Sequence, residues 1–417
     1  MKMDIKSKWP VAALSLIGMA STASAARTDD RCAPTPPATC YADDCNRCYC
    51  LGPDNYGVNA PARPRTCNGD WVITVAGFYW NSHQDGMEYA IENNVENPGS
   101  NIINLEGSQQ INRLIDAKYK TPDFDWDFGF KVGLGYNTTC DGWDFGVLWT
   151  WYRGKAIDHV EAEADDNRVL LPLWSAYAPL QGGTLYATDI ENNWKVEVNL
   201  VDLELGREYW TSKYLTLRPF VGIRIAYLNQ NYCIKHKGGS FSANNQAGGP
   251  TALQQAWNNE VELENDFKSA GLRAGLDTLW NFGCGWGLYG NFALSILYGR
   301  FDFEHDETNR RATDPHEKAK IADAKNSFRA SRGAADLALG VQWHGMFCQC
   351  QYGFTVMLGW EHHLFFDQNQ LWRVVRIGDT FISTGTDSFN NTGENVFHER
   401  RGDLDFQGWT LTVKFEF

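Results

Sequence analysis

The side chains with the widest chemical reach in this chain are its eleven cysteines. Six crowd into residues 26–69, as Cys32, Cys40, Cys45, Cys48, Cys50 and Cys67. Cys140, Cys284, Cys348 and Cys350 are spread downstream, and Cys233 stands apart. Thiols in an exported chain pair as disulfides, and as thiolates they can instead hold zinc. Cys45-Asn46-Arg47-Cys48-Tyr49-Cys50 has a usable ligand spacing, but no second Cys-x-x-Cys or paired His lies near it. The reading is therefore disulfide chemistry, with zinc as the alternative for that run. The odd count leaves at least one thiol free or shared with another molecule. His362-His363 beside Glu361 suggests a metal or acid–base site. On a strand, however, the two rings face opposite ways and cannot chelate one ion together. No Ser-His-Asp grouping and no phosphate-binding glycine loop is legible, so neither an enzyme nor a cofactor is expected.

These groups must be held by something, and the N-terminus says where. Lys2, Lys6 and Lys8 precede a mostly apolar stretch from Val11 to Ala20, and Ala23-Ser24-Ala25 suits cleavage. Residues 1–25 thus read as a secretory signal, with an uncleaved anchor as the alternative. Removing three Lys and one Asp takes the formal charge from −14 to −16, which argues against a nucleic-acid partner. Residues 26–69 then form a Cys- and Pro-rich leader, and residues 70–417 a strand-rich body.

Alternation defines that body. Trp409, Leu411, Val413, Phe415 and Phe417 share one face of the final segment, and Thr410, Thr412, Lys414 and Glu416 the other. From Phe124 to Tyr136, large apolar residues oppose Asp, Gly and Lys without a phase error. Similar segments fall near 70–81, 124–137, 143–155, 194–206, 214–228, 266–281, 286–302, 334–346, 351–364 and 404–417. Segment 194–206 switches phase around Val198 to Val201, which predicts a bulge or a misplaced start. Soluble strands average about five or six residues, whereas a membrane-crossing strand needs roughly 9–11. Aromatics reach 14%, yet mean hydropathy is only −0.42, as expected when alternate residues alone meet lipid. Short connections at 138–142, 207–213, 282–285 and 347–350 alternate with long polar ones. The fold class is all-β: an antiparallel transmembrane barrel of the bacterial outer membrane with ten resolvable strands, up to sixteen if long loops hide hairpins.

Parity then assigns a polar lumen. Asp125, Asp127, Lys131, Asp144, Arg218, Arg224, Arg273, Asp277, Glu361, Lys414 and Glu416 share the face opposite the large apolar residues. Charges of both signs around a bore admit polar solutes and set ion preference, unless they pair into a network that plugs it. The loop from Asp158 to Asp166, with His159, Glu161, Glu163, Asp165 and Asp166, reads either as an inward constriction or as a solvated face. Ten of the eleven cysteines fall on the short-turn side, where disulfides would tie the leader to the barrel floor or to other envelope proteins.

The body resembles the chlamydia-type major outer-membrane porins and, more closely, the pore-forming outer-membrane proteins of environmental chlamydiae and legionella-like bacteria. The resemblance is carried by Trp71 to Tyr89, by the FDWDFGFKVGLGYN and DGWDFGVLWTWY runs between Phe124 and Tyr152, and by Phe417. It implies an outer-membrane porin, a homotrimer, and an envelope cross-linked by disulfides. The function expected is passive diffusion of ions and small hydrophilic solutes. The alternative is a structural or adhesive surface barrel linked to the envelope.

Overall fold

The computed structural model describes residues 40–42, 48–53, 59–66, 70–94, 114, 116–162, 168–175, 186–237, 257–311, 318–348, 350–376 and 395–417. The signal-like segment and Cys32, Cys45, Cys67, Glu163, Asp165 and Asp166 lie outside the described residues.

Ten long strands form a closed ring. They are β1 (Asp70–Gln84), β2 (Trp126–Asn137), β3 (Trp143–Glu161), β4 (Asp189–Arg207), β5 (Leu215–Lys237), β6 (Trp257–Gly283), β7 (Trp286–Arg311), β8 (Lys318–Phe347), β9 (Tyr352–Phe365) and β10 (Leu404–Glu416). Each pairs antiparallel with its neighbours in the sequence, and β10 returns to β1 through Leu404↔Gln84 to Glu416↔Val72. Closure removes every sheet edge, which hydrocarbon requires. The long connections add no strand to this ring among the described residues. They hold a small sheet of Ala90–Asn94, Lys118–Lys120 and Arg168–Pro172, and a hairpin of Trp372–Arg376 with Asn395–Glu399. The tightest turn, Cys284-Gly285, has positive φ at both residues (51° and 80°), the backbone that matches strand twist in a two-residue hairpin.

The strands outrun their lipid-facing alternation. On β5, the outward residues Val221, Ile223, Ile225 and Tyr227 are followed by Asn229, Asn231, Cys233 and Lys235. On the same strand the inward set changes from Arg218 and Arg224 to Leu228, Tyr232 and Ile234, all three of the latter buried. β4, β6 and β7 switch at the same level, because Asn199 pairs with Tyr227, Tyr227 with Lys268 and Lys268 with Arg300. The anomaly at Val198 to Val201 is this crossover. β4 pairs with β3 and β5 with no register shift and starts at Asp189, so the bulge expected there is absent and the start lies earlier. Below the crossover the outer face is apolar and the inner face polar; above it the two exchange. The crossover marks the edge of the bilayer, since apolar side chains face lipid on one side of it and a closed core on the other.

Two aromatic belts bound the apolar band. Trp71, Trp143, Trp280, Trp286 and Phe417 are exposed at the short-turn rim, and Tyr79, Trp126, Tyr298 and Trp409 at the long-loop rim. Amphipathic rings prefer the headgroup level, where one end is dry and the other wet. Beyond the second belt β6 continues for the twelve residues Trp257 to Lys268, roughly 40 Å of strand at about 3.4 Å per residue. The outer surface of the strands at this level is laced by ion pairs such as Arg153–Glu197 at 2.9 Å and Lys325–Glu304 at 2.7 Å.

Candidate functional site

The lumen has two layers. In the lipid-level half, the inward residues build a polar chamber of about 240 Å³ lined by Thr74, Lys131, Asp144, Arg273, Glu361 and Lys414, among others. Its charges form one connected chain. Lys131 Nζ lies 2.5 Å from Glu361, which accepts from His363 at 3.2 Å, and His363 Nδ1 lies 2.6 Å from Asp336. Asp336 also meets Arg273, and Arg224 Nη1 at 2.9 Å. Arg224 donates to both oxygens of Asp202 at 2.6 and 2.8 Å. Arg273 approaches Glu204 at 3.4 Å, Glu204 approaches Arg218 at 3.2 Å, and Arg218 reaches Asp277 at 2.7 Å and Asp144 at 2.6 Å. Such pairing is what lets charges stay buried, because an isolated one would be very costly.

Above the chamber lies an aromatic layer. Phe78 and Trp80 stack at 3.6 Å between centroids, with Lys131 Nζ 5.0 Å from the Trp80 ring on the chamber side. Trp80 continues to Tyr152 at 5.7 Å, Tyr152 to Phe406 at 5.4 Å, and Phe406 to Phe365 at 6.1 Å. Phe267, Phe301 and Phe328 stack on the other side of the lumen. Inward apolar residues from nine of the ten strands, all except β2, join in one buried cluster. β2 contributes space instead: a Cβ at Gly129 would collide with the Phe78 ring. A ring of about eight strands is just filled by its own side chains, whereas 16–18 leave an aqueous channel. Ten strands sit near the filled limit.

The short-turn mouth is narrowed by the end of the leader. Ala62 N donates to the Glu208 carbonyl at 3.0 Å, and Trp210 N to the Ala60 carbonyl at 2.8 Å. Arg63 pairs with Glu208 and lies 3.5 Å from Asp144, while Arg65 reaches Glu416 at 3.3 Å. Burial would raise the Glu208 carboxyl, but Arg63 and Arg65 override it and hold the group at about 2. The leader segment is thus tied to the floor by ion pairs and backbone hydrogen bonds.

Eight of the eleven lumen candidates join the ion-pair chain or its floor: Lys131, Asp144, Arg218, Arg224, Arg273, Asp277, Glu361 and Glu416. Lys414 lines the same chamber and has no ion pair among the described residues. Asp125 and Asp127 depart from the expectation. Asp125 precedes β2 and stands half-exposed 3.7 Å from Lys155, and Asp127 accepts from the Lys155 backbone at 3.0 Å. Both serve the long-loop rim, because β2 has by then risen past the chamber. Asp336 and His363 share the inward parity of Asp277 and Glu361, so their place was readable. Asp202 and Glu204 were hidden by the phase crossover of β4. Arg63 and Arg65 lie in a non-periodic segment that gives no such signal.

Of the cysteines, Cys140 and Cys284 are disulfide-bonded. Cys348, also expected in a disulfide, carries a thiol here and projects into solvent; Cys348 and Cys350 both occupy left-handed turn positions. Cys233 faces outward above the bilayer, and burial beside Glu260 pushes its thiol up to about 11. His362 faces outward 3.4 Å from Asp405 while His363 faces the lumen, so the two rings do part across the strand.

A closed ring with an apolar outer band, two aromatic belts and a charged interior defines an outer-membrane β-barrel. The chain matches the family described as Legionella pneumophila major outer membrane protein precursor over residues 63–417, and it belongs to that family. Its place is the bacterial outer membrane. No match to a curated protein was found. Among solved structures it is similar to the outer membrane protease OmpT from Escherichia coli, at 11% identity and a TM-score of 0.33, covering 87% of this chain and 99% of that one. It is also similar to a FadL homologue of Pseudomonas aeruginosa, at 7% identity and a TM-score of 0.22, covering 84% and 90%. A third likeness is to Ail of Yersinia pestis, at 9% identity and a TM-score of 0.17, covering 64% and 97%.

Proposed function

We propose that this protein is a narrow porin for ions and small hydrophilic solutes, with the aromatic layer as its gate. The observation that carries the reading is the polar chamber of about 240 Å³ at the level of the bilayer. It offers carboxylates, guanidiniums and Lys414, which has no ion pair among the described residues, to a passing ion. Hydrophobic constrictions gate by excluding water, so the Phe78–Trp80–Tyr152–Phe406 layer would hold the path closed until it moves. No covalent step and no cofactor enter. A second reading, a closed structural or adhesive surface barrel, is favoured by the interlocking of inward side chains from nine strands.

Solute-swelling of proteoliposomes separates the two. Phe78→Ala removes a ring at the chamber ceiling, and the porin reading expects faster entry of the smallest sugars and amino acids than with wild type. If neither protein admits any solute, the closed-barrel reading stands and the porin reading falls.

A further inference from the structure

We propose that the outer face of the extramembrane β-structure binds a late first-row divalent metal ion between His159, Glu161 and Asp189. The site lies where β3 ends and β4 begins. His159 and Glu161 are two apart on β3 and so share its outward face, and Asp189 is the first residue of β4, directly opposite Glu161. His159 Nε2 lies 2.9 Å from Asp189 Oδ1 and 3.6 Å from Glu161 Oε1. All three ligand atoms fall within 4.8 Å of one another. Ligands that share one ion at about 2.0–2.2 Å stand roughly 3.0–3.4 Å apart, so little movement would seat it.

The surroundings argue for a cation there. Carboxylates directly opposed across two strands repel unless something positive lies between them, and Glu161 and Asp189 are such a pair. One imidazole with two carboxylates suits Zn²⁺ or Ni²⁺ better than Ca²⁺ or Mg²⁺, which prefer oxygen alone. The frame is rigid: β3 and β4 pair over their full length, and Ala162 N donates to the Thr188 carbonyl at 2.7 Å just beyond the site. All three side chains are partly exposed, leaving open positions for water. The competing cation is Lys237, whose Nζ lies 3.6 Å from Asp189 and 3.8 Å from Glu191. A bound ion would fasten the base of the connection from 162 to 188 without touching the lumen.

The test is calorimetric titration of Ni²⁺ into the refolded full chain. Wild type should show saturable binding, and His159→Ala and Asp189→Asn should each weaken it by about tenfold or more. Lys237→Ala should tighten it by removing the competitor, and Cys233→Ser should leave it unchanged, separating this site from the thiol. Absence of saturable binding, or wild-type affinity in His159→Ala, would overturn the proposal. Because the substituted side chains are all at least partly exposed, heat-dependent gel mobility suffices to show that each variant folds.

Discussion

Replacing Arg224 with Ala strikes the lumen network where it is driest. Arg224 is 2% exposed, and its partners Asp202 and Asp336 are also buried. Without the guanidinium, Asp336 keeps Arg273 and His363, but among the described residues Asp202 keeps only Arg273 as an ion-pair partner, at 4.0 Å. A buried charge stripped of its partner costs about 3–5 kcal/mol, so Arg224→Ala should destabilise by that amount. Removing both charges is different. Apolar side chains of similar size in place of a buried pair are often neutral, so Arg224→Leu with Asp202→Leu should lie within about 1 kcal/mol of wild type. The assay is reversible urea unfolding in lipid vesicles, followed by tryptophan fluorescence and gel mobility. A loss below about 1 kcal/mol in Arg224→Ala would mean that lumen water solvates these charges, and the packed network would be refuted.

Val221 is 60% exposed midway along the lipid-facing stretch of β5, so Val221→Arg should cost about 2–4 kcal/mol in vesicles; a neutral result would mean that this face meets water. Burial holds the His236 imidazole down to about 4, against some upward pull from Asn259 and Glu307, while the unfolded group titrates near 6.5. Stability should therefore be full above pH 6.5 and fall by about 1.4 kcal/mol per unit as pH drops toward 4, a slope that His236→Gln should flatten in urea midpoints. Gly285 has φ +80°, and a Cβ there would meet the His344 carbonyl oxygen, so Gly285→Ala should lower the urea midpoint by an amount equivalent to about 1–2 kcal/mol or more.

The ring was legible because lipid imposes a rule that each strand obeys by itself. Thirteen residues of unbroken alternation around Phe128 and Val132, or the pattern from Trp409 to Phe417, need no tertiary information. Lumen charges such as Lys131 and Arg218 followed from the same parity. What parity could not give was height. Asp125 and Asp127 have the right face but stand above the chamber, and only cross-strand register fixes that level. Nor could it show that the rule inverts above the bilayer. Leu228, Tyr232 and Ile234 extend the strands past the apparent end of their pattern, because there the apolar face turns inward to a core. The leader's Arg63 and Arg65 reach the floor through non-local ion pairs that no periodicity encodes.

Single-channel recording in planar bilayers addresses the gated lumen most directly. Wild type should show discrete, mostly closed conductance steps, and Phe78→Ala a longer-lived open level, because the ceiling over Lys131 and Glu361 has lost a ring. Silence from both proteins, with folding verified by heat-dependent mobility, would contradict it.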